Sequence, residues 1–418
     1  MANVPFSDTP MPDTAASPRW LSIVGIGEDG AEGLSAAARA LIGAAEIVFG
    51  GRRHLALAAP LIRGAARPWP SPFDGAAGEV LAHRGRPVCV LASGDPFHYG
   101  VGAALARKID AREMTVLPAP SAFSLAAARL GWSLPATVLL SLHGRALDLV
   151  RPHLQPGARI LALTSDGDGP AALAKLLTET GFGASRLTVL EALGGPRENI
   201  NAATAAGYDL GPSDALNTVA IEVDASAGAR VLARTPGLAD DLFEHDGQIT
   251  KRQIRAVTLA ALAPRRGELL WDIGAGSGSV AIEWMLADPA MRAIAIERRA
   301  DRAARIARNA AAFGVPGLEI VEGAAPEALV ALPAPDAVFV GGGASDAGVL
   351  DAGGRALRTG GRLVVNAVTI ETEALLVARY GMLGGELVRI AISRAGPLGS
   401  MSTLRPALPV TQWVWTKP

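Results

Sequence analysis

The chain has 418 residues, half of them hydrophobic, and 39 basic against 40 acidic side chains leave a net charge of −1. At roughly 150 residues per domain this predicts two or three domains, and the missing basic excess argues against a nucleic-acid partner. The six histidines have no ligand spacing, so no metal is expected; the charge-free runs 114–128 and 130–144 fall short of the roughly 18 residues of a membrane span, and no basic-then-apolar leader precedes them, which predicts a cytoplasmic protein.

Residues 1–18 hold four prolines without periodicity and read as a disordered tail. Order is expected from a strand at 20–24 that runs into Gly25 and Gly27. A short apolar strand, a glycine turn and an Ala/Leu-rich helix then recur. Strands are predicted at 46–49, 87–92, 114–117, 137–142, 159–164, 187–191 and 218–223, and helices at 35–44, 100–109, 121–130 and 170–180. Cys89, the lone cysteine, lies in the apolar run Val88-Cys89-Val90-Leu91 and reads as a small buried hydrophobe. This alternation predicts an α/β protein with mainly parallel sheets. A polar, small-residue break at 224–237 places a domain boundary near 232–236, dividing the chain into 19–232 and 236–418. Beyond it the spacing predicts a helix over 251–263, with Thr250 and Gln253 as a capping box. A second helix is predicted over 279–287, and strands at 268–273, 293–297, 318–321, 336–340 and 362–366.

The strongest local signal is Leu269-Leu270-Trp271-Asp272-Ile273-Gly274-Ala275-Gly276-Ser277-Gly278-Ser279, an apolar strand entering three alternate glycines before a helix. Glycines let the backbone turn sharply and approach a ligand, and the helix start offers N–H groups to an anion. Glu297, ending the next strand, suits hydrogen bonds to ribose hydroxyls. The dinucleotide fingerprint asks for Gly or Ala where this chain has Ser279. The D-x-G-x-G-x-G run from Asp272 instead resembles the first motif of class I S-adenosylmethionine-dependent methyltransferases. Gly341-Gly342-Gly343, after the strand at 336–340, departs from the Asn/Asp-Pro-Pro-aromatic run of methylases that act on base amino groups. In the first half, strand ends carry Gly25 and Gly27, Ser93-Gly94-Asp95-Pro96, Pro118 to Ser121-Ala122, and His143-Gly144-Arg145. Asp95 either bonds its own loop or a ligand.

These first-half elements, in this order, resemble the tetrapyrrole methylases, the class III methyltransferases. The second half, through Thr250-Lys251, Asp272–Gly278, Glu297 and Gly361 to Thr369, resembles the precorrin C15-methylases that also decarboxylate. One chain with both is similar to the C5,15-methyltransferases of aerobic cobalamin biosynthesis. The resemblance implies a two-subdomain class III α/β fold followed by a Rossmann-like class I fold. It also implies one S-adenosylmethionine per domain, a precorrin substrate and a homo-oligomer. Precorrin-6B would gain methyl groups at C5 in the first domain and C15 in the second, with loss of CO2 from the C12 acetate, giving precorrin-8. Donor-binding residues would be Gly25, Gly27, Ser93, Gly94, Asp95, Ser121, Ala122, His143 and Gly144 in the first domain. In the second they would be Thr250, Asp272, Gly274, Ala275, Gly276, Ser277, Gly278 and Glu297, with Gly323 and Ala324 beside adenine. Arg52, Arg53, Arg145 and Arg197 are candidate partners for macrocycle carboxylates, and no residue is singled out as catalytic. The chain departs from the wider class III pattern at Glu28-Asp29-Gly30, where Gly-Pro-Gly is usual, and at Ala119 and Ala122, where Gly and Ser are usual. The other readings are an RNA or protein methyltransferase and an NAD-dependent oxidoreductase.

Overall fold

The computed structural model describes residues 19–70 and 75–418, so the tail expected at 1–18 lies outside the described residues. The chain forms two compact units: residues up to 145 with 156–229, and residues 146–155 with 230–418. The break at 229/230 falls beside the polar stretch expected to separate domains, but nothing in the sequence pattern announced that 146–155 joins the second unit.

The first unit carries two five-stranded sheets. One has the order Ala65–Pro68, Ile47–Gly50, Val88–Ser93, Leu21–Ile26, Met114–Leu117 and is parallel throughout. Its three inner strands are apolar runs buried on both faces, as parallel strands covered by helices must be. The register sets Gly25 opposite Ala92 and Ile26 opposite Ser93, so the glycine loop and the Ser93-Gly94 loop leave the sheet side by side. The other sheet has the order Val138–Ser141, Arg159–Leu163, Asn217–Glu222, Arg186–Glu191, Asn199–Thr204. Only its first pair is parallel. The alternation predicted parallel pairing here as well. The connection from Glu191 to Asn199 is too short for a crossover helix, so those strands pair antiparallel. The helix expected at 100–109 is confined to Val101–Leu105, because the chain then turns to bring Ile109 into the core.

The second unit is built on a seven-stranded sheet in the order Glu319–Glu322, Arg292–Glu297, Leu269–Ile273, Ala337–Val340, Arg362–Ala367, Val410–Thr416, Glu386–Ile390. The first five strands are parallel and the last two antiparallel. The strand order reverses at Leu269–Ile273, whose neighbours lead on to opposite edges. Ligands of open α/β sheets bind at such a point, beyond the carboxyl ends of the strands. The capping box expected at Thr250 does not form. The helix runs Arg252–Leu262 with Lys251 at its N-cap and no side-chain cap bond, while the Gln253 amide oxygen accepts from Arg394 instead.

Candidate active sites

In the second unit the strand Leu269–Ile273 is buried at every position and delivers the glycine loop to the switch point. Gly274, Gly276 and Gly278 all adopt left-handed backbone, with φ of 70°, 61° and 74°. Gly274 has a second constraint, since a Cβ there would lie 2.7 Å from the Gly342 carbonyl oxygen. Gly276 differs. The nearest atom to a Cβ would be the Gln248 carbonyl oxygen at 3.5 Å, so its outer side is open.

Asp272 lies beneath this loop, 1% exposed. Its Oδ2 accepts the Ala281 N–H at 3.1 Å, in the first turn of the helix Ser279–Leu286. Its Oδ1 has no hydrogen-bond partner among the described residues, and neither has the buried Ser277 Oγ. Burial raises the Asp272 carboxyl to about 7, and the charge of Glu297 acts in the same direction. Glu297 closes the loop from the next strand: Oε2 accepts the Gly276 N–H at 2.9 Å and Oε1 the Arg299 N–H at 3.1 Å. Gly323 donates to the Glu297 carbonyl at 3.1 Å, which brings Gly323-Ala324 to the same end of the sheet. Thr250 is half-buried, and its carbonyl oxygen accepts from Arg255 at 2.5 Å. Thus Asp272, 274–278, Glu297 and 323–324 gather at one edge, with 248–250 alongside the loop.

Sequence reasoning missed two supports of this site. Asn309 donates to the Ser277 carbonyl at 2.9 Å and to the Glu244 carbonyl at 3.0 Å, tying the glycine loop to the segment before the first helix. Asn366 lies one residue beyond Val365, which pairs with Val340 and so stands level with Ile273. Its amide donates to Thr258 Oγ1 and accepts from Gln412 Nε2, each at 2.9 Å. Asn309 belongs to no short motif, and although Asn366 falls in the run 361–369, the role of each is defined by partners far away in the chain.

The first unit holds a cavity of about 490 Å³. Gly27, Ser93, Gly94, Ser121, Ala122 and His143, all expected from the sequence, line it. Three other expected residues do not. Gly25 packs beneath, where a Cβ would run into the Gly94 carbonyl and the Ala119 nitrogen. Asp95 bonds its own loop, its Oδ1 accepting the Phe97 N–H at 2.8 Å. Gly144, with φ of 66°, donates its N–H to Ser165 Oγ at 2.9 Å. Ser121 lines the cavity and also caps the helix Ala122–Leu130, accepting the Ser124 N–H at 3.2 Å.

The cavity also presents residues without a motif. Glu28, at the departure from Gly-Pro-Gly, pairs with Arg53 and with Arg197, the latter at 3.3 Å, and Arg197 pairs in turn with Asp214. His54 Nε2 lies 2.7 Å from Ser93 Oγ, and Arg53 donates to the same oxygen at 2.9 Å. Burial, then the neighbouring Arg53 charge, pushes His54 down to about 4, so its ring is neutral near pH 7. Position 54 carries no signal in the sequence because it sits on a short helix, Arg52–Ala58, whose place beside Ser93 depends on strand order.

Both halves match known families. Residues 21–208 match the tetrapyrrole (corrin/porphyrin) methylases, and residues 241–417 match the precorrin methyltransferase domain. The chain is 61% identical over 398 residues to the precorrin-6Y C(5,15)-methyltransferase [decarboxylating] of Sinorhizobium sp., covering 95% of this chain and 96% of that protein. The chain belongs to the precorrin-6Y C5,15-methyltransferase (decarboxylating) family. The family's Mycobacterium tuberculosis protein is 43% identical over 400 residues, covering 94% of this chain and 99% of that one. A shorter relative, the cobalt-precorrin-6B C(15)-methyltransferase (decarboxylating) of Salmonella typhimurium, is 32% identical over 179 residues, 41% of this chain and 92% of its own length. The Asp272 loop, whose spacing favoured a methyl donor over a dinucleotide, thus lies in a methyltransferase family. No helix among the described residues is long and apolar enough to cross a membrane.

Proposed function

We propose that this chain uses S-adenosylmethionine to methylate precorrin-6B at C5 and C15 and removes CO2 from the C12 acetate, yielding precorrin-8. The observation that carries this reading is 61% identity, over nearly the whole of both chains, to a protein named as a decarboxylating precorrin-6Y C(5,15)-methyltransferase. The first unit would take C5 and the second C15 with the decarboxylation, each with its own donor molecule. A cytoplasmic homo-oligomer belongs to the same reading. No observation favours an RNA or protein acceptor, or nicotinamide chemistry.

The residues of the second unit fit the donor. Gly276 leaves open space above the loop, and the partnerless Asp272 Oδ1 and Ser277 Oγ are polar atoms beside it that a ligand can satisfy. Glu297 can exchange its bond to the Gly276 N–H for ribose hydroxyls. In the first unit, Gly27, Ser93, Gly94, Ser121 and Ala122 offer a close-approach wall. The donor supplies a methyl group already activated on a sulfonium, so the chain needs no nucleophile–base pair. Its residues have to orient the two reactants and exclude water, for which effective molarities reach roughly 10⁵ M or more.

The test is mass spectrometry of precorrin-6B incubated anaerobically with S-adenosylmethionine and the purified chain. Two methyl additions and one CO2 loss are expected of the wild type. Gly276→Arg fills the open side of the second loop and should abolish C15 methylation and decarboxylation. Gly25→Ala drives a Cβ into backbone and should abolish C5 methylation alone. Unaltered precorrin from a wild-type chain that binds donor would sink the assignment.

A further inference from the structure

Four arginines were candidates for the carboxylates around the macrocycle, and their surroundings separate them. Arg53 and Arg197 are committed to Glu28 and Asp214, a cluster with no net charge. Arg52 is exposed and lies over no aromatic ring among the described residues. Arg145 is different. It is exposed and has no acidic partner among the described residues. Its guanidinium lies 5.8 Å from the centre of the Tyr99 ring. A cation over a ring keeps its planar fork of donors free for a carboxylate.

Tyr99 is itself unusual. Its φ is 58°, a left-handed backbone that a bulky side chain rarely adopts. Glycine would make this turn without strain, and such outliers point to a use for the side chain. The tyrosine is fixed from both ends. Its hydroxyl donates to the Leu139 carbonyl at 3.2 Å, and its ring stacks on His98 with centroids 5.3 Å apart. His98 in turn leans on Phe123 at 4.8 Å. Tyr99, His98 and Phe123 all line the cavity, yet Tyr99 is 49% exposed and its neighbour Phe97 47%. The mouth of the cavity is therefore an aromatic edge with an uncommitted cation beside it.

We propose that Tyr99 and Arg145 form a shelf at the mouth of the first unit's cavity that seats a flat, conjugated ring rimmed with carboxylates. The π surface lies against the aromatic edge, and one peripheral carboxylate pairs with Arg145. This pairing selects the acceptor; the donor sits deeper, on the glycine walls. The inference rests on the macrocycle assignment above and adds to it the residues that recognise the ring.

The experiment measures initial rates of C5-methyl formation against precorrin-6B concentration, using the full chain and saturating S-adenosylmethionine. Arg145→Gln is expected to raise the macrocycle KM roughly tenfold with kcat little changed, the loss of one charge-assisted bond. Arg145→Lys should recover part of that loss. Tyr99→Gly removes the ring but keeps the left-handed turn, and should also raise the macrocycle KM. Donor affinity, read by calorimetry, should stay at the wild-type value in all three variants, which a merely misfolded site would not give. A macrocycle KM within about twofold of wild type in both Arg145→Gln and Tyr99→Gly overturns the shelf while leaving the assigned reaction intact. A wild-type chain that binds donor but never methylates precorrin overturns both.

Discussion

Asp272 holds its proton far longer in the folded chain than in the unfolded one. Its folded value is about 7, raised by burial from the ordinary aspartate value of 3.8. Between those values the folded state binds more protons, so this carboxyl's contribution to stability falls as pH rises, at most about 1.4 kcal/mol per pH unit. Asp272→Asn is expected to remove that slope. Thermal melts at pH 5 and pH 7.5 should then lie closer together in the variant than in the wild type, and an unchanged gap would show that the carboxyl ionises normally. A cationic donor seated on the loop acts in the opposite direction, favouring the carboxylate. Donor binding near pH 6 should therefore release a proton, which calorimetry in two buffers of different ionisation enthalpy would detect.

At the scale of elements, the second unit's site hangs on one buried ion pair. Arg255 and Glu283 have side chains 0% and 2% exposed and lie 2.6 Å apart. Glu283 also accepts the N–H groups of Gly237 and Leu238 at 2.6 and 2.9 Å. Arg255 additionally reaches the carbonyls of Leu238 and Thr250 and the carboxylate of Asp240. Two helices and the segment 237–240 are thereby locked together. Removing one partner of such a pair strands the other charge, so Glu283→Gln is expected to cost about 3–5 kcal/mol. A urea melt measures it, and a loss below about 1 kcal/mol would mean that Asp240 alone carries Arg255. Nothing in the sequence revealed this pair, because each residue looks like an ordinary charge on a helix. What was legible were the buried parallel strands, whose unbroken apolar runs end in glycines. The edge strands Ala65–Pro68 and Asn199–Thr204 were not legible, since they are short and largely exposed and need no apolar run. The helix Ala300–Ala312 was equally hidden, carrying four charged side chains and a narrow buried stripe at Ala303, Ile306 and Ala310. Of the two sites, the glycine walls could be read from motifs. The Glu28–Arg53–His54 cluster and the Asn366 network could not, because their members meet only through sheet order.

For the whole molecule, the 146–155 segment governs how the two halves depend on one chain. Val150 and Leu154 are 0% and 1% exposed. The turn Leu147–His153 packs on the helix Ala300–Ala312, and Gln155 donates to the Leu232 carbonyl at 2.8 Å. Leu154→Ala should therefore destabilise the second unit by about 2–5 kcal/mol, although the chain on both sides of the segment belongs to the first. Hydrogen exchange of the intact protein would show which unit loses protection; a loss confined to residues 19–145 and 156–229 would contradict this assignment.

That excursion also sets an order of events during synthesis. The first unit has all its strands once residue 222 has left the ribosome, yet Val150 and Leu154 must wait for the helix ending at Ala312 before they are covered. At about 5–20 residues per second, the roughly 90 residues in between take about 5–18 s to appear. For that interval a nearly finished half of the protein carries an apolar loop whose Val150 and Leu154 are not yet covered.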